Sequence, residues 1–126
     1  MAQIACRGIR GATTSDANDR ESIVDATKEL LEVIVEQNNL EKEQIAAAFF
    51  STTIDLNAEY PAVAARRSLG WTDVALFNTH EMLVPNDIAK CIRVLILANI
   101  EQTQSEINNI YLKDAENLRN RGSDIN

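Results

Sequence analysis

The stretch "CIRVLILAN", Cys91 to Asn99, decides how this chain folds. Isoleucine, valine and leucine fill it almost without a break, and such residues suit a pleated, packed surface. Taken with a two-residue period, it puts Ile92, Val94 and Ile96 on one side and Leu95 and Leu97 on the other. A strand that is apolar on both faces belongs in the middle of a sheet covered on both sides. One letter breaks the pattern. The guanidinium of Arg93 cannot shed its charge, because its pKa lies above ~12, so it needs an anion.

The flanking segments supply the rest of a sheet. "QIACRGIRGATT", Gln3 to Thr14, has too much glycine for a helix and reads as a first strand, while "IAAAFFSTTI" (Ile45 to Ile54) and "DVALFN" (Asp73 to Asn78) read as two more. Between the first two, Asn18 followed by Glu21 has the form of a capping box with Asn in place of Ser or Thr. Ile23, Thr27, Leu30, Leu31 and Ile34 then recur at helical spacing, and "QNN" at Gln37 to Asn39 ends the helix. "PAVAARRSLG" reads as a short helix with Pro61 in its first turn and Gly70 just past its end. "SEINNIYLKDAENL" is amphipathic and short, and "RNRGSDIN", from 119 to 126, is polar and expected to be a flexible C-terminal tail. The expected class is α+β, or mixed α/β: a single domain over 1–126, with a mixed sheet packed on one long helix plus short helices. One helix covers only one face, so the second face of the central strand calls for a partner subunit, and a homo-oligomer is expected.

Composition narrows the function. A chain of 126 residues buries roughly two-thirds of the surface its unfolded form exposes, enough for one core without staples. No apolar run approaches the length of a membrane span. "MAQIACRGIR" lacks the basic start and apolar centre of a signal peptide, so a cytoplasmic location is expected, with Cys6 and Cys91 as free thiols. Two cysteines and one histidine, His80, without CxxC or HxxxH spacing make a poor metal site. GxGxxG and GxxxxGK[ST] are both missing, so neither metal nor cofactor is expected. A net charge of −7 argues against nucleic acid, and a small anion would need arginines gathered locally against the global field.

Five segments in register, "RGIRGATT", "DLNAEYPAVAARRSLGW", "HEM", "KCIRVLI" and "IYLKDAENLR", resemble the monofunctional bacterial-type chorismate mutases, the homotrimeric pseudo-α/β-barrel enzymes. The resemblance covers nearly the whole chain except its tail. It implies conversion of chorismate to prephenate in the shikimate pathway of aromatic amino acid biosynthesis, without a cofactor, at sites on the subunit interfaces of a homotrimer. It also implies that Arg10 and Tyr111 grip the substrate's side-chain carboxylate, that Arg93 approaches that carboxylate and the ether oxygen of the breaking bond, and that Glu81 holds the ring hydroxyl. Tyr60, Ala62, Leu76, Phe77 and Leu118 match pocket walls, and Arg66 and Arg119 lie near the ring carboxylate. Tyr60 and Arg66 are implied to come from a neighbouring subunit. The family pattern has Phe where this chain has Tyr60, Lys at Val63, Thr at Phe77 and Cys at Asn78; Asn78 keeps a hydrogen-bonding group for the substrate.

The chemistry agrees with a sequence poor in histidine and metal motifs. A Claisen rearrangement moves no proton and needs no nucleophile. It needs a compact substrate conformer and charge stabilisation at the breaking ether, which are positioning and electrostatic preorganisation. Each residue also has a plainer reading. Arg93 can be a structural arginine paired with an acid, Arg10 a solvated strand residue, Glu81 surface decoration, Tyr111 a core edge, and Arg66 with Arg67 a solvated helix face. His80 and Cys91 are assigned only structural roles. Two other functions stay open: a trimeric enzyme of similar architecture such as an imine deaminase, and a non-catalytic trimer that binds small dianions.

Overall fold

Cys91–Ile100 forms the middle strand of a five-stranded sheet in the computed structural model, which describes residues 3–118. In chain order the strands are β1 (Ala5–Thr14), β2 (Ile45–Thr52), β3 (Ala75–His80), β4 (Cys91–Ile100) and β5 (Ile110–Tyr111). Their spatial order is β3-β2-β4-β1-β5. β4 runs antiparallel to both neighbours, whereas β2 with β3 and β1 with β5 are parallel, so the sheet is mixed as expected.

The single long helix, α1 (Arg20–Asn38), buries Ile23, Ala26, Thr27, Leu30, Leu31 and Ile34 along one stripe. Ile9, Ala48, Phe50, Val94 and Ile96 share the main core with Leu30, Leu31 and Ile34. The helix comes close because β1 carries no side chain at Gly11, where a Cβ would stand 2.6 Å from Cδ1 of Ile34 and 3.2 Å from Cδ1 of Leu30. Among the described residues, no helix is long and apolar enough to cross a membrane.

Three local expectations need correction. The cap of α1 is Asp19, not Asn18: its Oδ1 accepts the backbone N–H of Ser22 at 2.7 Å. Asn18 is engaged elsewhere, donating to Oδ1 of Asn57 at 2.8 Å while its own Oδ1 accepts the N–H groups of Asn57 and Ala58 at 3.0 and 3.1 Å. Spacing could not show this, because Asn57 reaches Asn18 only when the chain returns from β2. The second correction concerns "PAVAARRSLG", which has two α-helical residues, Ala62 and Val63, and then a π-helical turn over Ala64–Ser68, closed by Gly70 at φ 71. Third, "SEINNIYLKDAENL" is not one amphipathic element. It holds 3₁₀ turns at Gln104–Glu106 and Lys113–Ala115, with β5 pairing Ile110 and Tyr111 to Gly11 and Ala12 between them.

Strand register sorts the side chains into two faces. On the face away from α1, Arg10, Leu95, Phe49 and Phe77 form one row across the sheet, and Tyr111, Ala12, Arg93, Ser51 and Thr79 form the next. No helix among the described residues covers the first row. Leu95, Phe49 and Phe77 are 39%, 41% and 59% exposed, and the two phenylalanine rings stand 6.3 Å apart between centroids.

Candidate active site

A cleft of about 550 Å³ opens on this bare face. Its lining includes Arg10 and Ala12 from β1, Phe49 and Ser51 from β2, Arg93 and Leu95 from β4, Tyr111 from β5, and Glu81 and Asp87 from the β3–β4 connection. β4 places Arg93 here for the reason that made it conspicuous in the sequence: its even-numbered neighbours face α1, so position 93 must face the other way. Arg10 sits one strand over and one row along, a diagonal separation of about 7–8 Å between backbones.

Arg93 is flanked by two carboxylates. Its Nε lies 3.8 Å from Oε2 of Glu81, and its Nη2 lies 3.5 Å from Oδ2 of Asp87. The side chain is 34% exposed, yet Nε itself is buried and has no hydrogen-bond acceptor among the described residues. Glu81 reaches this position because its backbone N–H donates to the carbonyl of Thr52 at 2.8 Å, continuing the pairing of β3 beyond His80. Arg10 is exposed and forms no ion pair among the described residues, so its charge faces the cleft uncompensated. Tyr111 is held on the edge by β5.

Beside Arg93, Cys91 packs with Ala12 and Ala115, with Ile88, Tyr111 and Leu118 around them. Burial pushes its thiol up to about 11, against the opposing pull of the Arg93 guanidinium. Cys91 is buried and Cys6 exposed, and both are free thiols.

Most of the remaining site residues lie elsewhere on the chain. Tyr60 and Asn78 line a separate cavity with Thr52 and His80. Oδ1 of Asn78 accepts the backbone N–H of Ala62 at 3.1 Å, and Ala62 is buried. Leu76 packs on the main core. Phe77 stands exposed on the bare face beside Phe49, and Arg66 is exposed on the π-helical turn. Leu118 lines the main cleft. Arg119, and the tail expected over 119–126, lie outside the described residues. His80 keeps to a structural contact, its Nδ1 3.1 Å from Oγ1 of Thr52.

Sequence reasoning missed Phe49, Ser51, Thr79 and Asp87, all of which line the cleft. The first three share the face of Arg93, and a register for β2 and β3 would have found them. Asp87 carried no signal of its own, because Asp beside Asn86 and Pro85 reads as turn chemistry.

Two fixed cations on an apolar floor, with no histidine among the described lining residues, suit a ligand that carries carboxylates and is held in one shape. The fold and cleft thus define a small α+β domain with two arginines on a cleft that suits an organic anion. Residues 6–121 match the family model for chorismate mutase type I. The chain is 40% identical over 113 residues to chorismate mutase AroH of Bacillus subtilis, covering 90% of this chain and 89% of that one. It is likewise 40% identical over 114 residues to chorismate mutase AroH of Thermus thermophilus, covering 90% and 93%. A solved chorismate mutase from Clostridium thermocellum superposes with a TM-score of 0.84 at 40% identity, covering 86% of this chain and 96% of that one. This chain belongs to the type I chorismate mutase family.

Proposed function

We propose that the cleft on the bare face of the sheet is the active site, with Arg93, Arg10, Glu81 and Tyr111 as its working groups and a neighbouring subunit as its far wall. The activity is that of the family: isomerisation of chorismate to prephenate, a step of aromatic amino acid biosynthesis. In it the ether C–O bond breaks while a C–C bond forms within one molecule, and no proton changes hands.

The observation that carries the reading is the convergence of Arg10, Glu81, Arg93 and Tyr111 on one cleft. Arg10 and Tyr111 bind the side-chain carboxylate and fold the enolpyruvyl arm over the ring, which makes the reacting carbons neighbours. Arg93 stands at the ether oxygen, where negative charge grows as the bond breaks, and its fixed charge favours that state over the ground state. Glu81 accepts the ring hydroxyl and steadies Arg93 from the other side. Phe49 and Leu95 supply an apolar floor that strengthens these charges by keeping water away.

The reading includes a homotrimer. Arg66, Tyr60 and Asn78 lie away from the main cleft, so one subunit's surface can complete its neighbour's site, and the exposed Phe49, Phe77 and Leu95 give subunits an apolar face to bury. In that assembly Ala62, Leu76 and Phe77 back the wall, and Arg66 and Arg119 meet the ring carboxylate. The test is loss of chorismate absorbance on mixing with purified protein, with no metal or cofactor added. Turnover above the uncatalysed rate is expected; its absence, with prephenate still bound, would leave a dianion-binding trimer instead.

A further inference from the structure

We propose that Asp87 is a specificity-determining residue of the cleft: its carboxylate holds one end of the Arg93 guanidinium and competes for it with a substrate carboxylate. The proposal rests on the substrate reading above and adds a residue that the resemblance assigns no part.

Asp87 lies in the β3–β4 connection, and its carboxylate is fixed by its own turn. Its backbone N–H donates to the carbonyl of Val84 at 3.3 Å, and its Oδ1 accepts the N–H of Ile88 at 2.8 Å. Its Oδ2 lies 3.5 Å from Nη2 of Arg93, on a side chain only 17% exposed. Glu81 stands 3.8 Å from Nε on the opposite side. Both separations exceed the ~2.7–2.9 Å of a closed charge-assisted hydrogen bond, so the guanidinium is shared between two acids and saturated by neither. A third carboxylate can therefore enter, at the cost of repulsion from the two already present.

The charge balance gives this a direction. Among the described residues, the charged side chains lining the cleft are Arg10 and Arg93 on one side of the balance and Glu81 and Asp87 on the other. A dianion approaching these two arginines thus also meets two carboxylates, on a chain of net −7. Glu81 has a proposed task at the ring hydroxyl, and Asp87 has none toward the substrate. Its effect is to lower affinity for any carboxylate that approaches Arg93, so that a ligand binds well only if it also engages Arg10 and Tyr111.

Asp87→Asn and Asp87→Ser test this, since both keep an oxygen for the N–H of Ile88 and so preserve the turn. The measurements are KM for chorismate and the Kd of prephenate by titration calorimetry. We expect both constants to fall roughly tenfold, equivalent to about 1.4 kcal/mol, with kcat moving by a smaller factor. Asp87→Glu restores the charge and should return both constants toward wild type. Glu29→Gln, which removes one negative charge from the exposed face of α1, should leave both constants in place. Unchanged or raised constants in either folded Asp87 variant, or the same fall in Glu29→Gln, overturn the proposal. Absence of chorismate turnover by the wild-type chain overturns the substrate reading and the role of Asp87 with it; turnover with unmoved constants overturns the role of Asp87 alone.

Discussion

Arg93 and Cys91 share a strand face, and each carries a prediction that depends on its immediate surroundings. Lysine at 93 keeps the charge but replaces a planar fork with a compact ammonium, which cannot serve a carboxylate and an ether oxygen in one geometry. Arg93→Lys should lower kcat by at least ~10²-fold, the scale of losing one preorganised donor at a developing oxyanion. KM should change less if, as proposed, Arg10 and Tyr111 hold the carboxylate. Arg67→Lys, on the exposed π-helical turn, should be silent. A folded Arg93→Lys enzyme with near wild-type kcat would make Arg93 a structural arginine tied to Glu81 and Asp87. Cys91 concerns stability. Its folded pKa of about 11 lies above the ordinary 9.0, so the buried neutral thiol stabilises the fold fully below pH 9, and that contribution is lost as pH rises toward 11. Urea midpoints measured from pH 8 to 11 should fall more steeply for the wild type than for Cys91→Ala. At this scale the sequence singled out Arg93 by its contrast with its neighbours. Asp87 stayed hidden because only the folded loop brings its carboxylate to Arg93.

The elements were legible wherever their signal was local. The apolar alternation of β4 and the 3.6-residue stripe of α1 both follow from packing against one core, so periodicity alone reveals them. β5 has no such signature, because two residues become a strand only when Gly11 and Ala12 of β1 lie beside them. The N-cap of α1 was one residue off because Asn18 bonds to residues almost forty positions away. Asp19 supplies a test. The backbone N–H of Ser22, and then its hydroxyl, hold the Asp19 carboxyl below its usual 3.8. A depressed folded pKa contributes stability above the unfolded value and loses it as pH falls through the folded one. Asp19→Ala should therefore lower Tm at pH 6, and the gap from wild type should close as the pH drops below 4. Gly11 gives a second test of element packing. A methyl there meets Ile34 and Leu30 of α1, so Gly11→Ala should cost about 1–3 kcal/mol by overpacking; an unchanged denaturation midpoint would mean that α1 yields freely.

For the whole molecule, the question is what covers the bare face. If subunits bury Phe49, Phe77 and Leu95 between them, light scattering should give the mass of three chains, and Phe77→Asp should yield smaller, inactive species with the circular dichroism of a folded subunit. Arg10→Ala and Arg66→Ala proteins should each be impaired, and subunits mixed after dissociation should regain part of the activity through sites that draw each arginine from an intact chain. Folded mixtures that regain nothing would place the whole site within one subunit. The sequence by itself determined the central strand, the covering helix and the family, because each is written in local periodicity or in motifs at fixed spacing. It also marked Arg93, whose charge cannot be relinquished on burial. Only the tertiary structure decided that Arg10, Glu81, Arg93 and Tyr111 open onto one cleft while Tyr60 and Asn78 open onto another, and that Asp87 stands against Arg93. The reason is physical: strand register and loop return are set by long-range pairing, which no local window of sequence contains.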